Sequence, residues 1–205
     1  MNDSYFYKRI RDLRYAEKIL EENNIKLNIN FIIEDLLKEK EEEGKLREEI
    51  KLNPDDYKLH TKFGDILQDL EEYEEAEKEY QEALRINPDS YEAHNSLGIL
   101  FYKLKRYEEA EKEYRKALKL NPEYAVVHYN LGNLLDDLQR YDEVYNEYKL
   151  AVKQEPEFAE LLLYLAVISS NKKELKRKLI LLKNLFIEID NSEKINEIEK
   201  LLNNL

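Results

Sequence analysis

Three histidines, His60, His94 and His128, are the side chains in this 205-residue sequence best suited to proton transfer or metal binding, and they stand 34 residues apart. Equal spacing puts them at one place in successive units. Such places on neighbouring helix pairs lie about 10 Å apart or more, whereas two imidazoles sharing a zinc ion each sit about 2 Å from it. They therefore cannot share an ion. Cysteine is absent, which removes thiolate ligands, disulfides and cysteine nucleophiles. No serine lies in a nucleophile motif and no glycine-rich phosphate loop occurs. Carboxylates are plentiful, but runs such as EEYEEAEKEY read as solvated helix faces. No catalytic residue, metal site or cofactor is expected, and the chain is read as a non-enzyme.

The elements that carry these histidines repeat. From Tyr57 to Phe158 a pattern of 34 residues is written three times without a gap, with Gly64, Gly98 and Gly132 in register, as are Pro88, Pro122 and Pro156, and Tyr80, Tyr114 and Tyr148. A fixed period of this length means stacked units that bury surface against their neighbours. Each unit reads as two helices. Leu59, Phe63, Ile66 and Leu70, then Ala93, Leu97, Leu100 and Leu104, then Val127, Leu131, Leu134 and Leu138 recur at spacings of four, three and four, one buried stripe per first helix. The second helix opens near Tyr73, Tyr107 or Tyr141. Asn87-Pro88-Asp89 and Asn121-Pro122-Glu123 are read as the start of the next unit, with Asn as N-cap. A glycine inside a helix costs about 1 kcal/mol against alanine; its recurrence suggests that the second helix comes close through Ala76 or Ala110. Val144 replaces that alanine in the third unit.

On either side the pattern decays. Phe6, Ile10, Leu13, Ala16 and Leu20 mark an amphipathic helix within 1–22. Residues 23–56, ending at a Pro54 that is 34 before Pro88, read as a degenerate copy, with a helix through Ile33, Leu36 and Leu37. Ala159–Ser170 reads as one more first helix. Beyond it, Leu175, Leu179, Leu182, Phe186 and Ile189 form an apolar face, and Asp190 with Glu193 is read as a capping box for a last helix carrying Ile195, Ile198, Leu202 and Leu205. The domains are thus 1–22, 23–56, 57–90, 91–124, 125–158 and 159–205. The helices of the last would cap the array, or part of their apolar face would bind a partner or a second copy.

The chain resembles the tetratricopeptide repeat (TPR) family. The resemblance rests on Phe63-Gly64, Leu97-Gly98 and Leu131-Gly132, on Tyr73, Tyr107 and Tyr141, on Ala76 and Ala110, on Tyr80, Tyr114 and Tyr148, on Ala83, Ala117 and Ala151, and on the closing prolines. It implies an all-α fold, a right-handed superhelical solenoid of antiparallel helix pairs with extra helices at both ends. It also implies a concave groove lined by the first helices, where a partner peptide or helix binds. The stripe opposite the core holds Lys58, Thr61, Asp65 and Gln68, then Glu92, Asn95, Ile99 and Tyr102, then Val126, Tyr129, Asn133 and Asp136. A purely solvated face has no need of Ile99, Tyr102, Val126 and Tyr129. The expected site is therefore Lys58, Thr61, Lys62, Asn95, Ile99, Tyr102, Val126, Tyr129, Asn130 and Asn133, the amides serving a peptide backbone; the terminal helices filling this groove is the alternative. In chaperone-binding members Lys, Asn and Arg clamp a C-terminal carboxylate; here those places hold Thr61, Asp65, Ser96, Val126 and Asn130, so a chaperone tail is not the expected ligand.

Charge narrows the partner. Residues 55–158 carry 25 acidic and 14 basic side chains and account for nearly all of the net −12. An acidic array repels phosphate backbones and favours basic or apolar-aromatic partners over nucleic acid. The cluster Lys172, Lys173, Lys176, Arg177, Lys178 and Lys183 is the one feature that would suit RNA or an anionic surface. No apolar run reaches the roughly 20 residues of a membrane span, and no signal peptide is read at the start. The expectation is a cytoplasmic, non-enzymatic scaffold or adaptor, with homo-oligomeric assembly through the C-terminal helices, or RNA association, as alternatives.

Overall fold

The computed structural model describes residues 10, 13–14, 30–168 and 172–204, and every element among them is a helix. Its contacts divide the chain into two compact units, Met1–Leu104 and Lys105–Leu205. The first holds α1 (Asn30–Leu52), α2 (Tyr57–Asp69), α3 (Tyr73–Ile86) and α4 (Tyr91–Lys103). The second holds α5 (Tyr107–Leu120), α6 (Ala125–Asp137), α7 (Tyr141–Gln154), α8 (Phe158–Ile168), α9 (Lys172–Glu188) and α10 (Ser192–Asn203).

In the first unit α2 packs on α3, α4 packs against both, and α1 packs on α2. Phe63 and Leu67 of α2, Ala76, Tyr80 and Ala83 of α3 and Ala93, Leu97 and Leu100 of α4 are buried. Fully burying one such large side chain contributes about 1.5–3 kcal/mol. The three alanines of α3 and α4 are small enough for neighbouring backbones to approach. At Gly64 the nearest atoms belong to a tyrosine: a Cβ there would lie 2.5 Å from Cε1 of Tyr80, so the glycine makes room for the tyrosine ring of the second helix. Gly132 does the same for Tyr148 in the second unit.

The turn between α2 and α3 contains no glycine. Glu71 takes the left-handed conformation at φ 63°, with Glu72 N–H donating to Leu67 O at 2.7 Å and Glu71 N–H to Gln68 O at 3.1 Å. This is a Schellman closure on a side chain that would rather be glycine. Gln139, at φ 59°, closes α6 in the same way. The Asn-Pro turns also differ from expectation. Asn87 caps the end of α3 and its Oδ1 accepts from Asp89 N–H at 3.2 Å, while Ser90 is the true N-cap of α4, accepting from Ala93 N–H. Asparagine here terminates one helix and bends the chain.

In the second unit α6 packs on α5 and α7, α8 and α9 follow α7, and α10 packs on α9. The helix period outlives the sequence signature. Second helices end at Leu52, Ile86, Leu120, Gln154 and Glu188, 34 residues apart, and first helices begin at Tyr57, Tyr91, Ala125, Phe158 and Ser192. Thus α8 and α9 take the places of a further pair, and α10 the place of the first helix after it. The cap of α10 is Asn191, whose side chain accepts from Lys194 N–H at 3.1 Å, so the expected Asp190 and Glu193 box is replaced.

At the other end, the described part of the stretch that spacing reads as a degenerate copy, residues 30–56, holds one helix, α1, which runs through Gly44 with no turn between 30 and 52. Nothing within 4 Å meets a Cβ at Gly44. Ile33, Leu36 and Leu46 are buried on α1, whereas Leu37 is exposed. Most of the expected helix within 1–22 lies outside the described residues; of its apolar positions Ile10 and Leu13 are described, and they pack against Leu36 and Leu70.

Candidate partner-binding faces

In the first unit α2 and α4 carry six of the expected site residues. Lys58 is exposed; Ile99 and Tyr102 are half-buried. Three others are already engaged or covered. Thr61 Oγ1 donates to Tyr57 O at 2.9 Å, Lys62 Nζ pairs with Glu42 of α1 at 2.7 Å, and Asn95 is only 6% exposed. Between them lies a contact that residue spacing does not announce. Tyr80 Oη donates to Asp65 Oδ1 at 2.8 Å, and Ser96 donates to the same carboxylate. Burial pushes the Asp65 carboxyl above its ordinary range, with Asp69 adding to the rise and the two hydroxyls opposing it. Burial likewise holds the Tyr80 phenol far above its usual value.

In the second unit Val126, Tyr129, Asn130 and Asn133 of α6 are all half-buried. Asn133 departs from its expected part: its Oδ1 accepts from Tyr148 Oη at 2.9 Å and so serves the fold. It stands where Asp65 stands one unit pair earlier, and does the same work without a charge. Tyr129 lies 5.0 Å from the ring of Phe158 and 6.4 Å from that of Tyr148, half of it packing and half open. Further along α6, Asp136 accepts from Arg177 at 2.6 Å and pairs with Lys178 at 3.0 Å, while the Arg177 guanidinium sits 3.8 Å from the centre of the Tyr141 ring. Lys183 pairs with Glu199 of α10. Half of the basic cluster is therefore spent on docking α9 and α10, and Lys172, Lys173 and Lys176 stay exposed.

The histidines lie apart from this stripe. His60 and His128 are buried, each bridging a carboxylate on the second helix and a proline carbonyl before the first: Glu79 at 2.7 Å and Pro54 at 3.0 Å, Glu147 at 2.6 Å and Pro122 at 2.9 Å. His94 faces Pro88 O at 3.1 Å. Among the described residues no group of three or more His, Asp or Glu side chains could hold a metal ion, and no helix is long and apolar enough to cross a membrane.

Helix pairs in 34-residue phase, with a glycine seated under the second-helix tyrosine, are matched by two family models. Both are described as tetratricopeptide repeat, and they cover residues 61–125 and 101–168. The chain belongs to the tetratricopeptide repeat family. Among solved structures, MamA matches with a TM-score of 0.60 at 18% identity, over 83% of this chain and 99% of that one. YrrB, described as a TPR protein with an unusual peptide-binding site, matches at 0.54 and 20% identity, over 75% and 88%. The TPR domain of Arabidopsis OM64 matches at 0.50 and 19%, over 63% and 95%. At these identities the likeness is one of fold. A search of curated proteins finds no match.

Proposed function

We propose that this TPR chain is a non-catalytic interaction adaptor that holds a partner peptide or helix against the first helices of its repeats. The observation that carries the reading is that Ile99, Tyr102, Val126 and Tyr129 stay half-buried on α4 and α6. Core packing takes what it needs from Leu97, Leu100, Leu131 and Leu134 on the other side. Half-buried apolar and aromatic side chains are the usual anchors of a recognition surface. The excess acid of the repeats favours a ligand with basic residues beside its apolar ones. That TPR proteins bind proteins or peptides supports the same reading.

The test is titration calorimetry with a peptide selected from a displayed random library. Ile99→Ala and Val126→Ala should each weaken binding at least tenfold, with Leu150→Ala on the exposed side of α7 as control. Equal affinity across all three variants refutes the reading. A second reading, self-association, is favoured by Ile180 and Ile187, which are 46% and 54% exposed on α9. Light scattering over a wide concentration range tells the two apart, since a monomer throughout excludes it. The exposed side of α10 is entirely polar (Glu193, Asn196, Glu197, Glu199, Lys200), which fits a cap better than a subunit contact.

A further inference from the structure

The contacts of His60 and His128 have a consequence for proton binding. Each ring nitrogen faces an oxygen: Glu79 Oε2 at 2.7 Å and Pro54 O at 3.0 Å around His60, Glu147 Oε2 at 2.6 Å and Pro122 O at 2.9 Å around His128. A carbonyl cannot donate a hydrogen bond, and neither can an ionised carboxylate. A neutral imidazole has one N–H, so it would leave one of the two contacts as lone pair against lone pair. Only the doubly protonated ring satisfies both. The charged groups facing His60 are Glu79 and Glu82 of α3, Glu82 itself being held by Arg85 at 2.8 Å; from the loop after α1 it meets the Pro54 carbonyl. Facing His128 are Glu147 of α7 and, from the loop after α5, the Pro122 carbonyl.

We propose that His60 and His128 are proton-loaded clasps, each tying the loop before a repeat to that repeat's second helix, and that the repeats loosen as these rings lose a proton. Burial of the rings, at 6% and 5% exposure, works against the charge. The bonds to Glu79 or Glu147 and to the proline carbonyl outweigh it, so both rings are held above the ordinary histidine value. A histidine whose folded value is raised contributes stability that is complete below the unfolded value of about 6.5 and is lost as pH rises through the folded one. The window therefore opens just below neutrality and extends upward. Two clasps at one position of the repeat act in the same direction.

The experiment is an NMR titration of the imidazole carbons in the full chain from pH 5.5 to 9.5, with thermal melts over the same range. Both rings should titrate above about 6.5, and the melting temperature should fall steadily as pH rises past that point. The double variant His60→Gln with His128→Gln should lose most of that slope. Midpoints at or below about 6.5, or an undiminished slope in the double variant, overturn the proposal. Should the variant fail to fold, the ring midpoints of the unaltered chain decide.

Discussion

Alanine placed at Gly64 tests the seat of the second-helix tyrosine most sharply. The new Cβ would lie 2.5, 2.7 and 3.0 Å from Cε1, Cδ1 and Cζ of Tyr80, closer than carbon atoms pack, and the ring is fully buried with no side on which to yield. Its hydroxyl is also tied to Asp65 at 2.8 Å, so a displaced ring strains or loses that bond. Overpacking a core costs about 1–3 kcal/mol, and a hydrogen bond to a charged group is worth about 1.5–3 kcal/mol. Replacing helical glycine by alanine returns about 1 kcal/mol. The net expectation is a loss of about 3 kcal/mol. With a urea slope of about 2 kcal/mol per molar, the unfolding midpoint should fall by about 1.5 M. Gly44→Ala is the matched control. It is also helical but has nothing within 4 Å of the new methyl, so the same change should stabilise by up to about 1 kcal/mol. Equal shifts at the two positions, or a stabilised Gly64→Ala, would refute the argument.

Asp65→Asn should raise the urea midpoint at pH 7. Asparagine keeps the acceptor for Tyr80, as Asn133 does for Tyr148, and removes a charge that burial disfavours. The carboxyl's folded pKa is raised, so its contribution is full below the ordinary value of 3.8 and lost as pH climbs through the folded one; the gain should vanish when the midpoints are compared near pH 3.5. Gln139→Gly should stabilise by about 1 kcal/mol in the same assay, because φ 59° costs a side chain what it does not cost glycine. Asp136→Ala should cost about 1–3 kcal/mol and speed amide exchange through α9, since it strips Arg177 and Lys178 of their shared carboxylate.

The repeats were legible because packing demands recur with the period. Gly64 lies against the Tyr80 ring, and Ala76, Tyr80 and Ala83 are fully buried, so their types are constrained at fixed spacing, and helix pairs could be read off them. The choice of neighbour was less legible. Spacing alone cannot say whether Gly64 faces an alanine or the ring one turn further along, and the ring fills the space. Helix ends were misread where Asn87 could either start a helix or end one; Ser90, three residues on, competes for the cap and wins. The αL turns at Glu71 and Gln139 were hidden because no glycine marks them. The pairing of α8 with α9 was only half visible, since it keeps the helix boundaries while losing the signature residues. At the candidate site, the stripe of half-buried apolar residues was visible from periodicity. The internal duties of Asn133, Lys62 and Thr61 were not, because each depends on a partner from another helix or on a rotamer that sequence does not specify.

The adaptor reading stands or falls on where a peptide binds. The most direct measurement is methyl NMR of the full chain during titration with the library-selected peptide, following Ile99, Val126 and, as distant reporters, Leu150, Ile180 and Ile187. The account predicts saturable shifts at Ile99 and Val126 with the α7 and α9 reporters still. Shifts confined to Ile180, Ile187 or Leu150 would contradict it and move recognition off the first helices.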